Sequence, residues 1–311
     1  MPPWLIDAWN ICLSALRSTA PPHAWCLISP KGVDLEDLVE LLSKHALCMQ
    51  SNSDMPCDSC ASCEFFQSGE HPDVTHVQPE GVAGLIKIDT VRKSIGDAYN
   101  TGAIGGGRVI RVDQADKLND ASSNALLKIV EEPPGGTIFI FSTAMPGLLS
   151  PTLISRLRVI KVRDPSIQEW INYASNLDIR DEDVRLGYAL LGAPMACREA
   201  PVRFEQAKAL LNTLISVSRG EDPGSAVKRF AKADCEVICV AFTRIIESLI
   251  RSGKNSYLIN IPTFSINPIL LFRLLDRIQQ VRLQTQKGIA VNNAIAFGSL
   301  FSMWSFISSK E

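Results

Sequence analysis

The sequence predicts an α/β fold with a parallel sheet, followed by a region built from helices. In the first half of the chain, short apolar runs alternate with segments of helical periodicity, which is typical of a parallel sheet covered by helices. After the break at Asp164-Pro165 only helical periodicity continues. The length of 311 residues indicates two or three domains.

The first half begins with a helical pattern and continues with five predicted strands. A short docking helix, with Asp7 as a candidate cap and Pro21-Pro22 as its end, is predicted from apolar residues at helical spacing: Trp4, Leu5, Trp9, Leu13 and Leu16. The strands are predicted at residues 24–29, 74–79, 108–112, 137–141 and 158–162. Helices are predicted between them at residues 35–42, 91–99 and 121–131.

The second half shows helical patterns throughout. Gly192-Ala193-Pro194 divides two helices in a small segment that ends near Pro201. A longer helical region covers residues 204–311, with a looser stretch at residues 256–267. One apolar stripe in this region is predicted to serve mostly the domain's own core: Leu270, Leu271, Leu274, Leu275 and Ile278.

Composition and charge exclude several classes of protein. An apolar fraction of 46% and a charged fraction of 21% are those of a soluble globular protein. The net charge of −2 gives no overall attraction to nucleic acid, so any DNA contact has to be local. The first twenty residues lack the pattern of a signal peptide, and no apolar stretch reaches the roughly 20 residues of a membrane span. A cytoplasmic location is expected.

Four cysteines within sixteen residues predict a metal site. Cys48, Cys57, Cys60 and Cys63 could satisfy a tetrahedral Zn²⁺ completely and leave no open position for catalysis, so we expect structural zinc. One alternative is a set of free or disulfide-paired thiols, which a reducing cytosol disfavours. The other is an iron–sulfur cluster, whose usual fourth cysteine, three residues downstream and followed by Pro, is missing after Cys63.

The first predicted strand, a glycine turn and a helix follow the layout of a phosphate-binding loop. A working loop reads GxxxxGK[ST], and the corresponding run here is SPKGVDLE, residues 29–36. Ser29 replaces the first glycine, and Asp34-Leu35-Glu36 replaces the Gly-Lys-Ser/Thr triplet. Two carboxylates therefore stand where a triphosphate needs a cation and amide donors, which makes tight ATP binding unfavourable.

The residues after the third predicted strand also depart from the pattern of an active ATPase. After the strand that ends at Val112, Asp113 could join a Mg²⁺ shell, but Gln114 cannot accept a proton from water. The plainer alternative is that this region is a strand and a turn that never held a nucleotide.

Several motifs taken together resemble one family. SNALLKIVEEPP, residues 123–134, is similar to the NALLKxxEEPP signature of bacterial DNA polymerase III clamp-loader subunits. Ser155-Arg156-Leu157 resembles their SRC motif with Leu in place of Cys, and His71-Pro72-Asp73 follows the cysteines as it does in that family. The resemblance covers about residues 3–165. The degenerate loop resembles that of a member without ATPase activity.

The resemblance implies a fold and a set of domains. Residues 1–165 would form an α/β AAA+-like parallel sheet domain with an inserted zinc module at residues 48–63. A small helical lid would follow at residues 166–203, and an all-α collar for oligomerisation at residues 204–311. The implied partners are the tau/gamma and delta clamp-loader subunits and, through the complex, the sliding clamp and primer-template DNA, with no membrane.

The resemblance also implies how the chain would act. It would be a stator that helps to load the clamp, without ATPase or polymerase activity of its own, and Arg156 would reach the γ-phosphate of ATP on a neighbouring subunit. The plainer interpretation of Arg156 is a solvated basic strand face shared with Arg158, Lys161 and Arg163. The competing functions are an active AAA+ ATPase and an iron–sulfur redox protein.

Overall fold

The computed structural model describes the chain except for residues 31, 51–53, 81–83, 106, 253–266, 287–291 and 309–311. The chain divides into two compact units, Met1–Pro165 and Ser166–Glu311. None of the helices in the described ranges combines the length and the apolar character that crossing a membrane requires.

A five-stranded parallel sheet forms the centre of the first unit. Its strands are β1 (Ala24–Ile28), β2 (Val74–Val77), β3 (Arg108–Val112), β4 (Thr137–Thr143) and β5 (Arg158–Lys161). The strand order is β2-β3-β4-β1-β5, and every neighbouring pair runs parallel. The predicted parallel α/β sheet is confirmed, and each predicted strand end lies within two residues of the observed one.

Six helices surround this sheet in the described residues of the first unit. They are α1 (Pro3–Leu16), α2 (Glu36–Leu47), α3 (Ala61–Ser68), α4 (Ile88–Ala98), α5 (Asp120–Glu131) and α6 (Pro151–Ile154). The prediction that Asp7 caps α1 is wrong, because the helix begins at Pro3, where a proline needs no hydrogen-bond partner for its nitrogen. Asp7 lies in the second turn instead, and its Oδ2 accepts a hydrogen bond from Arg163 Nε at 3.1 Å.

The topology places the loops that follow β1 and β3 at the same end of the sheet. Most residues of strands β1, β3 and β4 are buried, as expected of a sheet covered on both faces. Because all the strands are parallel, the loops that follow β1 and β3 leave the sheet at the same edge. Residues 32–36 and the residues after Val112 are therefore neighbours in space.

The described part of the second unit consists of helical elements. These are α7 (Ile167–Ser175), α8 (Asp181–Leu191), α9 (Ala196–Glu199), α10 (Pro201–Ser218), α11 (Pro223–Val227), α12 (Cys235–Ser252), α13 (Pro268–Gln286) and α14 (Asn293–Ser308), with a 3₁₀ turn at Lys228–Phe230. The predicted helical C-terminal region is confirmed. The predicted boundary between residues 203 and 204 falls inside α10, and the division into lid and collar stays a prediction.

The core of the second unit contains the predicted leucine stripe. Leu271, Leu274 and Ile278 are buried in it, and Leu270 and Leu275 are half-buried against it. The looser stretch predicted at residues 256–267 lies almost wholly outside the described residues.

Candidate functional site

A carboxylate of the loop after β1 accepts a hydrogen bond from the first backbone N–H group of α2. The Val33 N–H donates to the Pro30 carbonyl at 3.2 Å, with Gly32 in the left-handed region at φ 83°. Asp34 Oδ1 then accepts a hydrogen bond from the Glu36 N–H at 2.9 Å. In a working phosphate-binding loop the free amides at this helix end point at phosphate. Here a carboxylate already occupies the first of them.

Arg111 of β3 brings a buried positive charge to the same edge. Its side chain is only 5% exposed, and its Nη2 donates to both carboxylate oxygens of Glu36, at 2.8 and 2.7 Å. The same Nη2 lies 3.6 Å from Asp113 Oδ1. The guanidinium therefore lies between the carboxylates of Glu36 and Asp113.

Glu36 and Asp113 occupy the two positions that hold Mg²⁺ in an active P-loop enzyme. In such an enzyme the ion is bound by a Ser or Thr of the phosphate-binding loop and by an Asp at the end of another strand of the sheet. In this chain those positions carry Glu36 and Asp113, and a guanidinium from the protein itself is the cation between them. Glu36, one of the two carboxylates noticed in the loop, and Asp113 are thus paired with a cation of the chain itself, a feature that the sequence pattern did not predict.

The ionised form of Asp113 is stabilised by its surroundings. Burial pushes the pKa of this carboxyl up, but its contact with His76 and the charge of Arg111 outweigh burial, so the pKa is lowered. Because the folded-state pKa lies below the unfolded value of about 3.9, ionised Asp113 stabilises the fold above that pH. This stabilisation is lost as the pH falls through the folded-state pKa.

Gln114 directly follows this ion network. Its backbone is in the left-handed region at φ 51°, which is uncommon for a residue other than glycine, and a short 3₁₀ turn at Ala115–Lys117 comes next. Its side-chain amide offers no carboxylate to polarise an attacking water. The position after Asp113 therefore lacks the general base of an ATPase.

The four predicted cysteines meet in one cluster between α2 and α3. Cys48 directly follows α2, Cys60 is the N-cap of α3, Cys63 lies in its first turn, and Cys57 lies on the loop between them. Their Sγ atoms all lie within 4.8 Å of one another, and the pair Cys57–Cys63 is 3.9 Å apart. Tetrahedral ligands at a metal–sulfur distance of about 2.3 Å would be about 3.8 Å apart. This cluster can hold a metal ion.

Local contacts favour the thiolate of one of the four cysteines and disfavour that of another. The Ser59 backbone N–H lowers the pKa of Cys57 to about 6, whereas burial raises the pKa of Cys63 to about 12. The Cys57 N–H donates to Cys48 Sγ at 3.4 Å. Lys44 Nζ lies 2.5 Å from Asp58 Oδ1 on the cysteine loop, and this hydrogen bond raises the pKa of Lys44. A cation is thus fixed beside the cluster.

His71 and Asp73 connect the cysteine cluster to the sheet. His71 Nδ1 accepts a hydrogen bond from the Asp73 N–H at 3.1 Å, so Nε2 carries the proton that faces Ser62 Oγ at 3.0 Å. The buried Asp73 carboxylate accepts from the N–H groups of Ala103 and Ile104, at 2.6 and 3.0 Å. The His-Pro-Asp motif therefore ties α3 to the start of β2 and to the loop before β3.

Arg156 lies on the short segment between α6 and β5. Its side chain is 33% exposed, and its Nε donates to Glu131 Oε1 at the end of α5. Its Nη1 donates to the Thr152 carbonyl at 2.7 Å and contacts Ser155 Oγ at 3.3 Å. The ion pair with Glu131 was not foreseen, although Glu131 belongs to the EEPP run that the sequence singled out.

These features define an α/β protein with a network of ion pairs where β1 and β3 end, and with a four-cysteine cluster between α2 and α3. A family model described as "DNA polymerase III, delta subunit" matches residues 7–166, just over half of the chain. The chain belongs to this family.

The similarity to individual proteins points the same way. DNA polymerase III subunit delta' of Escherichia coli K12 is 31% identical over 191 residues, covering 61% of this chain and 57% of that protein. The subunits of the same name from Pseudomonas aeruginosa and Yersinia pestis are 34% and 31% identical, covering 50% and 68% of this chain and 46% and 65% of their own lengths. The chain therefore matches about half to two thirds of the length of these relatives.

A comparison of structures gives a weaker likeness. A gamma subunit-related protein of Thermotoga maritima aligns with 98% of this chain and 99% of its own, at 13% identity and a TM-score of 0.48. This degree of similarity carries no argument about function.

The ion network makes a testable prediction about stability. Arg111→Met should lower the free energy of unfolding by about 1–3 kcal/mol at pH 7, because it leaves Asp113 and Glu36 without their cation. The cost stays below that of a fully buried pair because Glu36 is 54% exposed. The difference from wild type should shrink as the pH falls below about 4 and through the lowered pKa of Asp113, because a protonated Asp113 no longer needs the cation. Urea unfolding of the full chain as a function of pH measures the loss of unfolding free energy and its dependence on pH.

The matched control is Arg92→Met, which removes an exposed pair with Asp89 on α4. It should change the free energy of unfolding by less than about 0.5 kcal/mol. Equal effects of the two substitutions, or a pH-independent effect of Arg111→Met, would contradict the role assigned to Arg111.

Proposed function

We propose that this chain is a non-hydrolysing stator subunit of a cytoplasmic DNA polymerase III clamp loader. It helps to load the sliding clamp onto primed DNA, in a complex with tau/gamma and delta subunits. It supplies Arg156 to ATP held by a neighbouring subunit and keeps no active nucleotide site of its own. Residues 166–203 serve as the small lid, and residues 204–311 as the collar that holds the chain in the ring.

The observation that carries this proposal is the Arg111 ion network. A guanidinium between Glu36 and Asp113 takes the place of Mg²⁺, and Asp34 accepts from the first amide of α2. ATP with Mg²⁺ would have to break these contacts and approach two carboxylates. Membership of the DNA polymerase III delta subunit family adds the biological context.

Arg156 suits a role outside its own chain. It precedes the edge strand β5, is one-third exposed, and within the described residues forms no hydrogen bond through Nη2. A guanidinium is always charged and can meet phosphate oxygens with two donors at once. These properties support a contact with the γ-phosphate at a subunit boundary.

The collar assignment is supported by apolar side chains left exposed on its last two helices. They lie on α13 and α14 and are more than half exposed: Ile269, Phe272, Leu283, Ile295 and Phe306. Exposed apolar surface of this kind is typical of a protein–protein contact. Neighbouring subunits of the ring are the partners we propose for it.

We assign zinc to the cysteine cluster. Four thiol ligands, three of them buried, with sulfur separations near those of a tetrahedron, match a closed structural zinc site. All four positions are sulfur, so no ligand position is left for catalysis. Bound zinc would fold the loop between α2 and α3, and the positive charge of Lys44 would offset part of the thiolate charge.

Replacing one ligand tests the metal assignment. Freshly purified wild-type protein should contain about one zinc per chain, and Cys60→Ser should contain clearly less, because three thiolates hold the ion more weakly than four. Cys197→Ser, outside the cluster, is the control and should keep its zinc. Metal analysis by mass spectrometry measures the content. Iron with acid-labile sulfide, or no metal in the wild-type protein, would contradict zinc.

Replacing the proposed arginine finger tests the function. Arg156→Ala should assemble normally into the reconstituted complex but lower its DNA-stimulated ATPase rate and clamp loading. Loss of such an arginine costs on the order of 10³–10⁵ in rate at the site it serves. One chain serves one of several sites, so total turnover should fall in part unless the sites fire in concert. Lysine should rescue poorly, since it lacks the two-donor geometry.

Arg158→Ala is the matched control, because Arg158 is an exposed arginine two residues away at the start of β5. It should change the ATPase rate much less than Arg156→Ala. Equal behaviour of the two variants, or a normal ATPase rate with Arg156→Ala in the assembled complex, would refute the trans-acting role.

A further inference from the structure

Glu131 is an unusual residue for the place where it lies. It is the last residue of α5, and a carboxylate at a helix C-terminus opposes the helix dipole. Its side chain is 45% exposed, and exposed ion pairs contribute little to stability. Neither the helix nor the fold therefore explains why a carboxylate holds Arg156 at this point.

The contacts of Arg156 occupy two of the three nitrogens of its guanidinium. Glu131 accepts from Nε, and Nη1 donates to the Thr152 carbonyl at 2.7 Å and contacts Ser155 Oγ at 3.3 Å, so these contacts fix the plane of the guanidinium. In the described structure Nη2 has no hydrogen-bond acceptor. The two N–H groups of Nη2 are therefore the donors left for an anion, and a charged guanidinium forms strong hydrogen bonds with phosphate oxygens.

Glu131 and Arg156 are both flanked by residues of the same apolar core. Ile129 and Val130 of α5, and Leu153 and Leu157 on either side of Arg156, are buried in one apolar cluster. His23, just before β1, contacts the Val130 carbonyl through Nε2 at 2.9 Å. The end of α5 is thus fixed to the start of β1, and Glu131 extends from a packed support.

We propose that Glu131 is a positioning residue for Arg156. It holds Nε of the guanidinium so that Nη2 faces an anion from outside the chain, the triphosphate of a neighbouring subunit. This inference rests on the proposed function and adds to it a residue that orients the arginine without contacting the nucleotide. Glu131 accordingly acts on the rate of the chemical step and leaves nucleotide binding by the neighbour unchanged.

The test compares Glu131→Ala and Glu131→Gln in the reconstituted complex. Glu131→Ala should lower kcat of DNA-stimulated ATP hydrolysis at the served site by roughly 10- to 100-fold, because misplacement of a reacting group by about 1 Å has effects of that size. KM for ATP should stay unchanged. Glu131→Gln keeps an oxygen acceptor and should retain most of the rate. Glu132→Ala, at the exposed next residue, is the control and should behave as wild type.

The double variant separates the two proposals. Glu131→Ala combined with Arg156→Ala should be no slower than Arg156→Ala alone, since Glu131 acts through Arg156. If Arg156→Ala is impaired while Glu131→Ala equals or exceeds wild type, the positioning role is overturned and the arginine finger stands. Additive losses, or failure of Glu131→Ala to enter the complex, also overturn it. A normal rate with Arg156→Ala overturns both proposals.

Discussion

The charge of Arg111 is the constraint on which the first unit depends. It lies on β3, between β2 and β4, where a guanidinium has almost no access to water and where its Nε finds no acceptor among the described residues. A buried charge is tolerated when it is paired. Glu36 at the start of α2 and Asp113 just after β3 are its partners. The need to neutralise Arg111 therefore determines which side chains lie where a nucleotide would bind.

The proposed division of labour follows from that edge. A chain whose own cation fills the Mg²⁺ position can take part in ATP hydrolysis through another subunit's nucleotide, and Arg156 is the exposed, always-charged group that suits this role. The cysteine cluster lies elsewhere on the first unit, and His71 connects it to β2 through Asp73. In this account the metal maintains the fold of a surface loop and takes no part in the chemistry.

The sequence predicted the elements well and their side-chain partners poorly. Strand positions followed from apolar runs bounded by turns, and the four cysteines followed from spacing, because both signals are local along the chain. Arg111 looked like one polar position in an alternating strand, and only the placement of α2 over β3 shows that it is buried. The pair Glu131–Arg156 joins residues 25 positions apart, and no periodicity reports such a contact. Asp7 resembled a helix cap, but the helix began earlier, at Pro3.

The central claim is that this chain's nucleotide edge is occupied by its own ion pairs. Titration calorimetry of the purified full-length chain with ATP and Mg²⁺ tests it most directly. The account predicts no binding heat up to about 1 mM ATP, which corresponds to an affinity weaker than about −4 kcal/mol. A micromolar dissociation constant, about −8 kcal/mol, would show that ATP displaces the Arg111 contacts and would contradict the account.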